Sequence, residues 1–167
     1  DTFPARFAQH WLDGMRAKLG LATAAAGDQA LVQGLLDALH AGAADYTLAF
    51  RRLCDAAAEP GAEAALRALC ADPTALDAWL PRWRARLAAE PRPAAERARA
   101  MRAVNPLFIP RNHRIEQVIT AAIGGDFAPF ARLATVLARP FDDQPEHAEL
   151  ALPPRPEERV LQTFCGT

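Results

Sequence analysis

The sequence contains no serine, and Lys18 is its only lysine. The missing serine removes the commonest hydroxyl nucleophile and every Gly-x-Ser-x-Gly motif. No Gly-Lys pair occurs, which excludes the phosphate-binding P-loop. No apolar run approaches the roughly 20 residues that a membrane-spanning helix needs, and no charged-then-apolar amino-terminal segment indicates secretion. The sequence therefore gives no support to a P-loop enzyme, a serine hydrolase or a membrane protein.

What is present is typical of a soluble globular protein. The chain has 167 residues, of which 51% are hydrophobic and 23% charged, and a domain of that size buries about 68–70% of its unfolded surface. The net charge of -1 provides no field that would attract nucleic acid or anionic lipid, so we expect neither as a partner. The chain begins at Asp1 in an apparent approach to a helix, and we expect it to be a piece of a longer polypeptide.

Apolar residues recur at spacings of three and four, which predicts helices, and no run of strict alternation predicts a strand. The first helix is predicted over about 4–19, with one apolar residue every fourth position at Phe3, Phe7, Trp11, Met15 and Leu19. The predicted fold is all-α: an irregular bundle of seven or eight helices over residues 1–140. The Pro-rich, acidic segment 141–167 is predicted to be an extended tail packed on that domain.

Four local features give sharper expectations. Asp28 and Asp45 stand where they can cap the second and third helices. Pro81 falls inside a helical pattern and predicts a kink or a break. In the helix after Pro110, we expect four residues to be buried: Ile115, Val118, Ile119 and Ala122.

Metal binding has little support. The four histidines are far apart, and the three cysteines form no Cys-x-x-Cys pair, whereas structural zinc sites usually show paired ligands. Residues 142–147 gather oxygen ligands that could hold a divalent cation. We favour a solvated acidic segment instead, because charged residues are mostly exposed. We therefore predict no metal site and no bound cofactor in this chain.

The cysteines differ in what they can do. Cys54 and Cys70 lie on apolar helix faces and are predicted to be small buried hydrophobic residues. Cys165 lies beside Gly166 near the end of the sequence, where a thiol can take part in disulfide exchange with a partner. The alternative is an incidental terminal cysteine.

Several segments together resemble the carboxy-terminal region of the selenoprotein O family of protein adenylyltransferases. The most specific is Met101–His113, which reads MRAVNPLFIPRNH. The others are the stretch around Trp11 with KLGL at 18–21, DYTLAFRRL at 45–53, GDF at 125–127, RPFDDQPE at 139–146 and the final CGT at 165–167.

The resemblance implies a kinase-like catalytic core that binds ATP in a flipped orientation and transfers AMP to serine, threonine or tyrosine hydroxyls of proteins. It implies magnesium or manganese and a bacterial cytoplasmic or mitochondrial setting, of which we expect the bacterial cytoplasm. The family's catalytic and metal-binding residues lie upstream of this region, so no catalytic residue is assigned here. The resemblance also makes that upstream core of the same chain the expected partner, and the tail 141–167 could pack on it.

Two candidate sites follow from the resemblance. In this family a cysteine or selenocysteine near the carboxy terminus can bond with a cysteine of the core, and Cys165 stands at that place, although many members end Cys-Ser-Ser. Arg111, Asn112 and His113 would lie at a helix start and could dock against the core. Capping and internal packing are the favoured alternative for these three.

The predicted function is a helical support and regulatory domain of a protein adenylyltransferase. As a fragment it is predicted to be inactive. The alternative is a free-standing helical module that binds a protein groove or helix.

Overall fold

A computed structural model describes residues 2–162, and within that range it is helical and free of strands, which confirms the all-α prediction. None of the helices in this range is long and apolar enough to cross a membrane. The described residues form eight α-helices: α1 Phe3–Leu19, α2 Asp28–Ala41, α3 Tyr46–Ala58, α4 Glu63–Arg67, α5 Thr74–Ala88, α6 Ala94–Arg102, α7 Asn112–Ile123 and α8 Ala128–Leu137. Short 3-10 helices occupy Pro60–Ala62, Pro145–Ala151 and Pro156–Glu158.

The chain divides after Asn105 into two compact units. The first contains α1 to α6, and the second contains α7, α8 and the segment that follows them. The boundary at residue 140 suggested by the sequence marks a different feature, because α8, the last α-helix among the described residues, ends at Leu137.

In the first unit, α3 packs against α6, α2 packs against α5, and α1 contacts α2, α3 and α6. Trp79 and Trp83 of α5 lie stacked in the core, with ring centroids 5.6 Å apart. Each buried indole N–H finds a carbonyl: Trp79 donates to Leu31 O at 2.8 Å, and Trp83 donates to Leu19 O at 3.0 Å. The tryptophans thereby tie α5 to α1 and α2.

The helix α5 runs through Pro81 without the predicted break. A proline inside a helix costs about 3 kcal/mol. Trp79 and Trp83 flank Pro81 in sequence, and each buries about 150–250 Å², which at about 25 cal/mol per Å² is worth roughly 4–6 kcal/mol per side chain. The burial of the two indoles therefore outweighs the cost of the proline.

The helix α1 ends at Gly20, which has a left-handed backbone with φ of 79°. Its N–H and that of Leu21 donate to the last carbonyls of α1. A Cβ atom at Gly20 would lie 2.7 Å from Met101 Sδ and 2.8 Å from Arg97 Cγ. Both the backbone angle and the close approach of α6 therefore require glycine here.

Asn105, fully buried, forms a polar hub at the end of the first unit. Its Nδ2 donates to Lys18 O at 2.9 Å, and its Oδ1 accepts from Lys18 Nζ at 3.2 Å. Lys18 Nζ also donates to Val104 O at 3.0 Å and lies 5.5 Å from the centre of the Phe50 ring. Arg51 Nη1 donates to Asn105 O at 3.2 Å. The hub joins α1 and α3 to the segment after α6.

The apolar stripe of α1 is only half buried. Met15 and Leu19 lie in the core, whereas Phe3, Phe7 and Trp11 are 80%, 60% and 39% exposed. The periodicity located α1 and its apolar face correctly, but the first unit covers only the last turns of that face.

In the second unit, α7 packs against α8. The expectation of four buried apolar residues in α7 is wrong: Ile119 is 46% exposed. The other three are only half-buried: Ile115, Val118 and Ala122. Ile123, Phe127 and Phe130 are exposed as well. The second unit has only two helices and one short segment, which is too little surface to cover both sides of α7. The apolar residues of α7 therefore extend beyond the face that packs.

Of the two predicted helix caps, one is confirmed and the other is wrong. Asp45 caps α3, since its carboxylate accepts the Leu48 N–H at 2.9 Å. The cap position of α2 is Gly27, and Asp28 is the first residue of the helix. The Asp28 side chain turns to other donors because two arginines and a loop N–H surround it.

Asp28 is 1% exposed and bridges three elements of the first unit. Its Oδ2 accepts from Arg16 Nε at 2.7 Å and from the Ala25 N–H at 2.8 Å, and its Oδ1 accepts from Arg86 Nε at 2.9 Å. Arg86 Nη1 also donates to Glu90 Oε1 at 2.6 Å. Burial alone would raise the pKa of Asp28, but the hydrogen bonds from Arg86, Ala25 and Arg16 together bring it below its usual value.

We predict that Asp28→Asn lowers the free energy of unfolding at pH 7 by about 3 kcal/mol, because two partly buried arginines lose their charged acceptor. A carboxylate with a lowered folded pKa stabilises above its unfolded value of about 3.9, and that stability is lost as pH falls through the folded pKa. The loss caused by Asp28→Asn should therefore shrink below about pH 4. Urea unfolding measures it.

The matched control is Asp37→Asn, an exposed residue of α2 that accepts a hydrogen bond from Gln33 within the same helix. It should change the free energy of unfolding by no more than about 0.5 kcal/mol. Equal losses in the two variants would contradict the bridging role of Asp28.

Candidate functional site

Arg111, Asn112 and His113 lie at the start of α7, as the sequence predicted. Arg111 has an extended backbone, with φ of -68° and ψ of 133°, and is the cap residue, while Asn112 is the first residue of the helix. The Arg111 carbonyl accepts the N–H groups of Arg114 and Ile115 at 2.9 and 3.0 Å. Pro110 precedes the cap residue, and its ring disfavours the helical conformation at Ile109, so the helix begins after the proline.

The three candidates differ in accessibility. Arg111 and His113 are buried, at 7% and 3% exposure, whereas Asn112 is exposed. Arg111 and His113 are therefore largely shielded from solvent, whereas the Asn112 side chain is available to a partner. Their roles in docking stay a prediction.

His113 is unusual because both of its ring nitrogens are buried and neither makes a hydrogen bond with the described residues. Burial lowers the pKa of His113, and the nearby charges of Arg114 and Arg111 lower it further, while Glu158 acts in the opposite direction. The ring is therefore neutral at physiological pH, with one donor and one acceptor nitrogen.

Two open depressions border His113. The first has a volume of about 460 Å³ and is lined by His113, Glu116, Gln117, Thr120, Ala121, Glu158 and Val160. The second has a volume of about 450 Å³ and is lined by residues 109–113 together with Pro154, Arg159, Val160 and Leu161. The segment 154–161 thus forms one wall of each depression, and α7 or the turn before it forms the other.

Glu158 is held in place by its own segment. Its Oε2 accepts the Arg155 N–H at 3.0 Å, and its Oε1 accepts from Arg155 Nη2 at 3.1 Å. These bonds lower the pKa of Glu158 to about 2, so the carboxylate stays charged. No spacing in the sequence links Glu158 to His113.

The depressions offer hydrogen-bonding groups rather than a reactive centre. Within residues 2–162, no group of three or more His, Cys, Asp and Glu side chains is placed to hold a metal ion. In the segment 142–147, Arg132 lies 3.3 Å from His147 Nδ1, and it also pairs with Glu149. A neutral imidazole, a carboxylate and amide or hydroxyl groups suit a polar peptide segment.

The cysteines follow the sequence analysis where the structure describes them. Cys54 is fully buried and donates to Phe50 O at 3.2 Å, and burial raises its pKa. Cys70 is partly buried against the core, and burial also raises its pKa. Thiols with raised pKa values are poor nucleophiles. Cys165, the redox candidate, lies outside the described residues.

Comparison with known proteins gives a consistent result. A family model described as "Protein adenylyltransferase SelO" matches residues 1–138. The chain is 62% identical over 168 residues to "Protein nucleotidyltransferase YdiU" of Bradyrhizobium sp. (strain BTAi1 / ATCC BAA-1182), covering 100% of this chain and 34% of the relative.

Proteins of the same name from Rhodopseudomonas palustris (strain TIE-1) and Rhizobium meliloti (strain 1021) are 57% and 56% identical, with 99% and 96% of this chain covered. The chain covers 34% and 33% of these two relatives. It therefore spans about a third of the length of the curated relatives it matches.

We predict that the ring of His113 titrates below the ordinary histidine value of about 6.5. The folded state then binds fewer protons than the unfolded chain below about pH 6.5, so the free energy of unfolding falls with decreasing pH by up to about 1.4 kcal/mol per unit. Nuclear magnetic resonance of the ring protons gives the midpoint.

His113→Phe should remove this contribution and flatten the pH dependence between about pH 6.5 and 5. His40→Gln, at an exposed position on α2, is the control. An ordinary midpoint for His113, or an unchanged slope in His113→Phe, would refute the assignment of a buried neutral ring.

Proposed function

The chain belongs to the SelO family of protein adenylyltransferases, and from this premise we propose that it is the helical carboxy-terminal region of a longer enzyme. In this proposal it supports, and through its tail regulates, a kinase-like core that transfers AMP from ATP to protein hydroxyls. The observation that carries the proposal is the match to the family over residues 1–138, in a chain about a third as long as its relatives. We propose the bacterial cytoplasm as its compartment, which rests on the resemblance and on the bacterial relatives.

We propose that the nucleotide and its metal bind to the polypeptide that completes the intact enzyme. The family's chemistry needs cations at the phosphates and carboxylates at the metal. Lys18 is the only lysine, and its ammonium group is engaged by Asn105 Oδ1 and Val104 O beside the Phe50 ring. The partly buried Arg16 and Arg86 are likewise paired with carboxylates. ATP and magnesium or manganese are therefore assigned to the polypeptide outside residues 1–167.

The start of α7 is the proposed docking point for that polypeptide. Asn112 is exposed, the depressions beside His113 are open, and a neutral imidazole next to Glu158 can bond a polar segment. Arg111 supports this turn from within the unit. Cys165 keeps its proposed role as a regulatory thiol, which rests on the resemblance of the final three residues to the family.

The first experiment compares Arg111→Ala with wild type in the intact enzyme. If Arg111 positions the docking turn, AMP transfer to a protein substrate falls at least tenfold while the melting temperature stays within about 2 °C. Asn112→Ala should lower transfer with no effect on stability, because that side chain is exposed. A parallel loss of stability and activity in Arg111→Ala would assign Arg111 to packing instead.

The second experiment uses the 167-residue chain alone, with ATP and magnesium as the probe in a calorimetric titration. We expect no saturable binding, whereas the intact enzyme binds. Saturable binding by the 167-residue chain would overturn the allocation of the nucleotide site. If the intact enzyme transfers no AMP, the proposed activity is overturned.

A further inference from the structure

The amino-terminal half of α1 carries an aromatic stripe, defined here as Phe3, Phe7 and Trp11. The three residues are spaced by four, so they lie along one face of the helix, and the Phe3 and Phe7 rings stack with centroids 6.2 Å apart. The same face continues into the core as Met15 and Leu19. Every residue from 2 to 11 is exposed, so the stripe leaves the core and enters an uncovered stretch of helix.

An uncovered stripe of this composition indicates a partner. Single exposed hydrophobic residues are ordinary, but a contiguous aromatic face marks an interaction site. Phe and Trp each bury about 150–250 Å² when covered, and aromatic residues dominate the energetics of interfaces. The opposite face of the same turns is polar, where Gln9 donates to Asp13 at 2.9 Å. The helix is therefore amphipathic where this unit gives it nothing to pack against.

Charge beside the aromatic stripe limits the kind of surface that can be its partner. Arg6 follows Phe3 by three residues, which places it along one edge of the stripe, and the first turn of α1 contains no acidic residue. Positive charge at a helix amino terminus opposes the helix dipole. A complementary surface is therefore apolar with an acidic border.

We propose that the aromatic stripe docks on an apolar, acid-bordered surface of the polypeptide that completes the intact enzyme. The inference rests on the proposed function, because it takes the partner to be that polypeptide. The chain covers 34% of its relative from Bradyrhizobium, so about two thirds of such a protein lies outside it and can supply the surface. Docking of the stripe fixes the direction in which α1 meets the core.

Hydrogen exchange tests the proposal directly. The backbone amides of residues 4–11 are compared in the 167-residue chain and in the intact enzyme, at equal concentration and pH. We expect exchange at least tenfold slower in the intact enzyme, because a covered helix opens less often than an uncovered one. Equal exchange rates in the two proteins would overturn the proposal, and this comparison needs no variant.

A pair of variants tests which face is covered. Phe7→Asp should return the exchange of residues 4–11 in the intact enzyme to the fast rate of the 167-residue chain. Ala5→Asp adds the same charge about 200° round the helix from both Phe3 and Phe7, and it should leave the protection unchanged. Loss of protection with both variants, or with neither, would contradict docking through the aromatic stripe.

The remaining outcomes separate this inference from the proposed function. If the 167-residue chain self-associates in sedimentation, and Phe7→Asp abolishes that association, the partner is a second copy and the proposal fails. AMP transfer is measured on the same intact enzyme. Protection without AMP transfer overturns the proposed activity and leaves the docking surface, whereas AMP transfer without protection overturns the docking surface alone.

Discussion

The buried side chain of Asn105 holds the first unit together at the point where the chain leaves it. The amide satisfies the Lys18 carbonyl and the Lys18 ammonium at once, and the Asn105 carbonyl receives Arg51. Burial lowers the pKa of Lys18, so the charged form depends on these acceptors and on the Phe50 ring. A buried polar group that loses its partner costs more than the bond contributes. The packing of α1, α3 and α6 is therefore tied to one asparagine.

Asn105 lies in the segment that is the most specific part of the resemblance to the selenoprotein O family, and its burial helps to explain why that segment is distinctive. Residues 101–113 supply four buried side chains of very different chemistry: Met101, Asn105, Arg111 and His113. Buried polar groups need particular partners in fixed positions, so such positions tolerate few substitutions. Residues that only form exposed helix surface have no such requirement. The segment is distinctive because it carries polar groups into the interior of both units.

The sequence was sufficient to predict the helices but not to predict which of their faces are covered. Spacing of three and four located α1 and its apolar face because helix geometry is local. It could not show that Met15 is buried and Phe7 exposed, since the two positions are equivalent in the pattern and differ only in their neighbours. The sequence likewise could not show that the helix continues through Pro81, because the burial of Trp79 and Trp83 is tertiary. Glu158 was missed because 45 residues separate it from His113.

The partly buried cations of the first unit are engaged by acceptors of the same unit. Arg16 and Arg86 converge on Asp28, Arg86 also reaches Glu90, and Lys18 is taken by Asn105. Each pairing leaves a cation with little remaining capacity for an anionic ligand, and breaking one to bind a nucleotide would leave a buried carboxylate uncompensated. These charges therefore serve to stabilise the helices. Among the exposed groups, the aromatic rings of α1 and the polar start of α7 are features typical of recognition surfaces.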